Sequence, residues 1–476
     1  MGRWVSVVVC VACAAPPPAV SPPVTSEMTD TEPTTETDDE DSAGNDSTPN
    51  ASHPPLSDWG PLSLPVIDVH AHPYALNKDG ARVIDDGTTM QVAMTRQNIG
   101  TALAWVPLQS KSTAFVASKT VQLAAEVPQV VPILAVDPSA KDAVTAAETG
   151  LRDSQFAGLA VFPSWTTIAA DDAQMDPLVD LAVDYDVPII VHTGSEDWAS
   201  PARAGTLAGR HPDATIILYD VGANPRQATA ISVLNSRSNV WMETSGLDVE
   251  TVAGLIDLVG IERLMFGTQV STGGLQHYTT PWDGDVTWDN VIDEAGRVLS
   301  TDELRALTVR NAVEVFRLHT VHIQQDDGMP VLRIDRGHGM GEVVSMVPEG
   351  VGWWRKTFPG AWSNTLEIDG SRVTIEGWEV WIDDNVPIPT PPTTTLTATF
   401  DPGPDVQMTV RGRAYPLHWG QGTPAVRTKA DQWTLTVQGV VEPLAYKWLA
   451  SDKLWESGPD HMVKPGETAD VVPVFK

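Results

Sequence analysis

From position 64 the chain repeats one pattern: a short unbroken apolar run, a polar turn, then a segment with apolar residues at helical spacing. The runs fall at 65–70, 102–106, 131–136, 158–162, 188–192, 215–220, 240–243 and 263–267. Segments between and after them, such as 175–186 and 301–318, carry the helical period. A strand that is apolar throughout, rather than alternating, is buried on both faces, as in a parallel sheet covered by helices. Eight such units over about 250 residues predict an α/β fold, a (β/α)8 TIM barrel spanning 62–320.

After position 318 the texture becomes all-β. The stretch 373–382 alternates apolar and polar residues, which predicts a half-buried strand, and 321–385 reads as a β-rich segment. Its dense tryptophans, Trp353, Trp354 and Trp362, are assigned to a core, with a ligand platform the alternative. A Pro/Thr-rich stretch, 386–395, is expected to be a linker. The remainder, 396–476, is expected to close an all-β C-terminal region, and its resemblance to a carbohydrate-binding module, carried by 410–412, 417–420, 432–437, 446–448 and 454–460, implies an immunoglobulin-like β-sandwich.

The other end differs in kind. Residues 1–15 hold one basic residue, Arg3, and then an apolar run, which predicts an export signal. The only cysteines, Cys10 and Cys13, lie in this run, so no disulfide is expected. The string Cys10-Val11-Ala12-Cys13 resembles a bacterial lipobox with Cys13 acylated; cleavage near Ala14 or Ala15 is the alternative. The expected location is therefore outside the cytoplasm, as an envelope lipoprotein or a secreted protein, with a lipid anchor the only route to a membrane. Residues 16–60, rich in Pro, Thr, Ser, Asp and Glu, are expected to be a disordered acidic tether. The net charge of −32 argues against nucleic-acid binding, which needs clustered Lys and Arg. Because the tether supplies part of that charge, it says little about a substrate.

Chemistry enters at the first strand, which ends Asp68-Val69-His70-Ala71-His72. Side chains alternate along a strand, so 68, 70 and 72 share the interior face at the C-terminal rim. His192 ends the fifth strand at the same rim. Three converging imidazoles with an open fourth position suit a catalytic divalent metal, zinc first, and a nearby carboxylate can orient a ligating ring. The alternative is a set of hydrogen-bonded interior histidines. Glu243, Glu196 and Trp198 are expected to line the pocket or to finish loops. His211, His277, His319, His322 and His338 have no motif partner and are assigned to surface or core.

Three segments, 66–73, 176–194 and 310–316, resemble the amidohydrolase family, closest to its aminocarboxymuconate-semialdehyde decarboxylase branch. The resemblance implies His70, His72 and His192 as metal ligands and a small carbonyl or carboxylate compound as substrate, hydrolysed or decarboxylated. Two positions depart from the pattern. Asp220 stands where the branch has a proton-transferring His on strand six. Gln269 stands where strand eight has an Asp that serves as ligand and base. Two readings stay open: an altered enzyme in which Asp220 supplies the missing carboxylate as ligand or base, and a degenerate barrel serving as a surface scaffold or glycan binder.

The last residues resemble a family-20 starch-binding module, through 410–412, 417–420, 432–437, 446–448 and 454–460. The resemblance implies an α-glucan or other glycan stacked on Trp419 and Trp455, with Lys447 and Glu456 as polar neighbours. Asp460 replaces the usual Asn, and Trp433 is assigned to the core. Docking of this domain on the barrel or on a partner is the alternative.

Overall fold

The computed structural model describes residues 66–475 except 77–81, 85–89, 92–93, 95–98, 107, 109–111, 155, 223–225, 269, 272–297, 336–339, 351, 361–364, 376, 385, 389–392, 405, 413–416, 418–421 and 441–442. The expected leader with Cys13, the tether 16–60, Gln269, Trp362 and Trp419 lie outside the described residues.

The barrel strands are β1 (Val66–His72), β2 (Ile99–Ala104), β3 in two pieces (Val130–Pro132 and Leu134–Val136), β4 (Leu159–Val161), β5 (Ile189–His192), β6 (Ile216–Tyr219), β7 (Val240–Glu243) and β8 (Leu264–Met265). Each pairs in parallel with its sequence neighbour. Pro132 lacks an N–H and divides β3. The sheet bridges the break, because Ile133 donates to the Ala104 carbonyl and Leu134 to that of Gly158. Closure comes from the Val69 N–H on the Phe266 carbonyl at 3.0 Å, and from Val270–Ser271 pairing in parallel with Ala71 and His72.

Alternation sorts the strand residues as expected. Ala102, Leu159, Ile189, Ile216 and Val240 pack with helix residues such as Leu123, Leu178, Leu207 and Leu234. Leu103, Ala160, Ile190 and Ile217 pack instead with Trp105, Phe162 and Tyr219. The final helical stretch opens with a capping box on Ser300 and Glu303, passes through a π-helical turn at Ala306–Arg310, and ends with Asn311–Val315.

Two residues later the chain is a strand, Leu318–Gln324, so the β region starts at 318 rather than 321. This strand pairs antiparallel with Trp353–Pro359 and in parallel with Glu379–Asp383 inside a five-stranded sheet. A four-stranded sheet built on Leu332–Asp335 faces it across a core of Val321, Ile323, Ile334, Phe358 and Leu366. Trp353 and Trp381 are buried together, in agreement with the core assignment. This sandwich seals the N-terminal end of the barrel. Arg355 Nη2 donates to the Gly100 carbonyl at 3.2 Å and Lys356 Nζ to that of Pro128 at 2.9 Å. Thr357 sits between the hydroxyls of Thr101 and Thr320, and Trp378 joins the cluster that holds Trp105 and Tyr219.

The expected linker 386–395 is corrected. Val386–Ile388 is an edge strand on Trp381–Asp383, and Thr393–Thr399 pairs along its whole length with Gln432–Gln438. An edge position tolerates Pro387 because no ladder bond is lost there, and the β-branched threonines favour a pleated strand. The last region has two sheets. One contains Val426–Lys429, Gln432–Gln438, Thr393–Thr399 and Thr468–Val471; the other is centred on Met408–Gly412 and Leu444–Ala450. They share a core of Leu396, Val410, Trp433, Tyr446 and Trp448, with Trp433 buried as expected.

Candidate metal centre

The end of β1 brings the chemistry together. His70 and His72 face Nε2 to Nε2 at 3.2 Å, and the His192 ring stands edge-on to His70 at 5.6 Å between centroids. The donor nitrogens of these three buried residues all lie within 4.8 Å of one another. Burial, reinforced by His70, pushes His192 down to about 3, so it is neutral at ordinary pH. A close set of neutral imidazole lone pairs is the donor chemistry that a divalent cation accepts.

The carboxylate that orients a ring is Glu243, at the end of β7. Its Oε1 lies 3.2 Å from His70 Nδ1. Asp68 does other work: it accepts from the His70 N–H at 2.9 Å and from the Thr268 hydroxyl at 2.6 Å, tying the ends of β1 and β8 together. Burial pushes its carboxyl up to about 6 against those hydrogen bonds. Glu243 is itself held by the Asp220 N–H at 2.7 Å, the Ser245 N–H at 2.6 Å and the Ser245 hydroxyl at 2.7 Å. Burial opposes its ionisation, but His70 and these donors more than offset it and keep the pKa below the ordinary value.

Asp220 takes a left-handed conformation, φ 55°, which Asp tolerates better than most residues. Its backbone amide serves Glu243, and its carbonyl accepts from Arg226 at 3.1 Å. Burial, then the nearby Glu243, lifts its carboxyl to about 6. Among the described residues the metal-capable group consists of the three histidines and does not include Asp220. Its carboxyl is close enough to the centre to feel Glu243, which raises it, and His70, which lowers it.

Aromatic rings wall the centre. Trp105 stacks on His70 at 5.1 Å, and Tyr219 tilts over it at 4.7 Å with its hydroxyl on the Val69 carbonyl. Phe162 stands 5.3 Å from His192 and stacks at 4.5 Å on Trp165, which is half exposed. Sequence reasoning assigned none of these four to the site. The available signal was their position, at or just beyond the ends of strand runs. Glu196 accepts from Ser164 at 2.8 Å near the same rim, which holds its carboxyl below the usual range. Trp198 is partly exposed.

On the C-terminal sandwich, Trp455 is 40% exposed, with the Arg411 guanidinium 5.1 Å from its ring centre. Lys447 donates to the Gly458 carbonyl at 2.7 Å and lies 3.7 Å from Asp460. Glu456 is not a surface group. It is buried, accepting from the Trp448 N–H at 2.7 Å and pairing with His461 at 2.9 Å. That removes it from the expected sugar contacts: a buried carboxylate must spend its lone pairs internally.

The closed parallel barrel with histidines on β1 and β5 defines a TIM-barrel protein with a candidate metal centre. The family model described as Amidohydrolase matches residues 67–318, and the chain belongs to that family. Similar solved structures include 4-oxalomesaconate hydratase from Rhodopseudomonas palustris, at 14% identity over 53% of this chain and 95% of that one, TM-score 0.42. Others are 2,6-dihydroxybenzoate decarboxylase from Rhizobium, at 17% over 53% and 98%, TM-score 0.40, and 5-carboxyvanillate decarboxylase from Novosphingobium aromaticivorans in complex with manganese, at 14% over 49% and 81%, TM-score 0.38. No curated protein matches the chain.

Proposed function

We propose that the barrel is a metal-dependent enzyme that hydrolyses or decarboxylates a small carbonyl or carboxylate compound. The observation that carries the reading is the meeting of His70, His72 and His192 donor nitrogens within 4.8 Å. Zinc is the leading metal, being borderline-soft and suited to three imidazoles; manganese and iron are the alternatives. A cation held by His70, His72 and His192 would supply Lewis-acid polarisation of a carbonyl or carboxylate oxygen. The protein's own part is to hold the His192 imidazole neutral and to keep water out with Trp105, Phe162 and Tyr219. Asp220, its carboxyl lifted to about 6, would exchange a proton with substrate near neutral pH. Trp165, half exposed on the same wall, offers a flat face for a planar substrate. Export and a lipid anchor at Cys13 complete the proposal, on the leader's composition alone.

Elemental analysis of protein purified without chelators tests it. About one equivalent of zinc, manganese or iron per chain is expected, and its loss in His72→Ala. Metal-free wild type that also fails to take up added zinc would sink the enzyme reading.

A second reading has its own support. Among the described residues no carboxylate joins the three histidines, and Trp455 is exposed on the C-terminal sandwich. A silent barrel carrying an α-glucan-binding domain predicts retention on amylose without stoichiometric metal.

A further inference from the structure

The three candidate ligands of this site are all imidazoles, with no carboxylate among them. Three imidazoles would leave a divalent cation's charge uncompensated in a pocket where His70, His72 and His192 are 0%, 5% and 8% exposed. A cation in such a place needs an anion close by, because burying an uncompensated charge is costly. The structure supplies one, on the far side of a ligand ring. Glu243 is buried at the end of β7 with Oε1 3.2 Å from His70 Nδ1, while His70 Nε2 points at His72. An ionised carboxylate only accepts, so the ring nitrogen facing it must donate. The proton is therefore on Nδ1, and the Nε2 lone pair faces the other histidines.

We infer that Glu243 is the positioning residue of this centre. It fixes the His70 tautomer and places the balancing negative charge one imidazole away from the metal. This rests on the metal-site reading above and adds to it the residue that makes the site bind. The Asp220 and Ser245 amides and the Ser245 hydroxyl hold the carboxylate in place at 2.6–2.7 Å. Position 220 thus acts through its backbone: its left-handed turn delivers an N–H to Glu243.

The experiment is zinc titration of the metal-stripped full chain against a competing chelator, on wild type, Glu243→Gln and Ser245→Ala. It is combined with histidine-labelled ¹⁵N NMR of the stripped protein. Glu243→Gln preserves shape and one acceptor but removes the charge. It is expected to weaken zinc binding about 10–100-fold, the usual effect of losing a partner behind a ligand ring. Ser245→Ala leaves the carboxylate and should weaken binding less. His70 in wild type should carry its proton on Nδ1. A merely structural Glu243 would alter melting temperature but leave the affinity of the folded protein unchanged. Equal zinc affinity in wild type and folded Glu243→Gln, or a His70 proton on Nε2, overturns the inference while leaving the metal site intact. If Glu243→Gln does not fold, Ser245→Ala and the wild-type tautomer decide. Wild type that binds no zinc defeats the metal-site reading itself, a separate result.

Discussion

Gly267 and Glu243 are packed so tightly that a Cβ on the glycine would stand 2.5 Å from Glu243 Oε2 and 3.0 Å from the His70 Cβ. The carboxylate cannot step aside, since three donors pin it. Gly267→Ala should therefore cost about 1–3 kcal/mol in urea unfolding, the usual penalty of overpacking. It should also weaken zinc binding. Unchanged stability and affinity together would show that the site relaxes freely.

Removing a ligand should do more than removing its partner. His192→Ala is expected to lose zinc affinity beyond the roughly 10–100-fold of a partner residue. His211 makes a useful control, because its ring pairs with Asp176 and Asp180 away from the centre. His211→Gln should keep full metal content. Parallel losses in the two variants, read by elemental analysis, would point to global unfolding.

The sandwich that seals the barrel contains a pH-dependent element. His322 is buried, stacked on Trp381, with Nδ1 2.6 Å from Glu349 and Nε2 3.0 Å from Glu379; Arg355 faces Glu349 from the same sheet. Burial alone would lower its pKa, but the two carboxylates lift it to about 9 from 6.5. A raised folded value means the stabilisation is complete below about pH 6.5 and is lost as pH climbs through 9. Lys356, held down to about 8 by burial and by Arg355, works with the opposite sign between about 8 and 10.5. Melting temperatures of wild type and His322→Gln across this range should diverge most at low pH and converge by pH 9–10. Curves that stay parallel would refute the assignment.

Trp378 comes from the sandwich yet is buried in the cluster that holds the barrel's Trp105 and Tyr219. Trp378→Ala should cost about 3–5 kcal/mol, as large-to-small changes in a core do. Urea unfolding followed by tryptophan fluorescence measures it. A loss under 1 kcal/mol would mean that the seal contributes little.

For the C-terminal sandwich, exposure separates two residues that the sequence groups together. Trp455→Ala should abolish retention on amylose if that surface binds glucan. Glu456→Gln should lower the melting temperature and leave retention unchanged, because its oxygens serve Trp448 and His461. The reverse pattern would put Glu456 back at the sugar.

The barrel is legible in the sequence because a strand buried on both faces leaves an unbroken apolar run. The histidine trio follows from alternation plus the rim rule. What escapes is set by closure of the barrel. Glu243 is expected from its strand end to line the pocket, but its pairing with His70 spans 173 positions and nothing local marks it. Asp220 invites reading by its side chain alone, and only its conformation shows that its amide also serves Glu243. Composition also misled at 386–395, where prolines and threonines suggested a linker and strand pairing claims much of the stretch. Glu456 sits in a string that looks like surface, and only its partners show it to be interior.

Only Phe316 and Arg317 separate the barrel's last helix from the central strand of the sealing sandwich. Phe316 is buried, and the Arg317 carbonyl accepts from Gly360 at 2.6 Å. Such a joint has no slack. The sandwich grips the end of the barrel opposite the histidines and cannot swivel on a hinge.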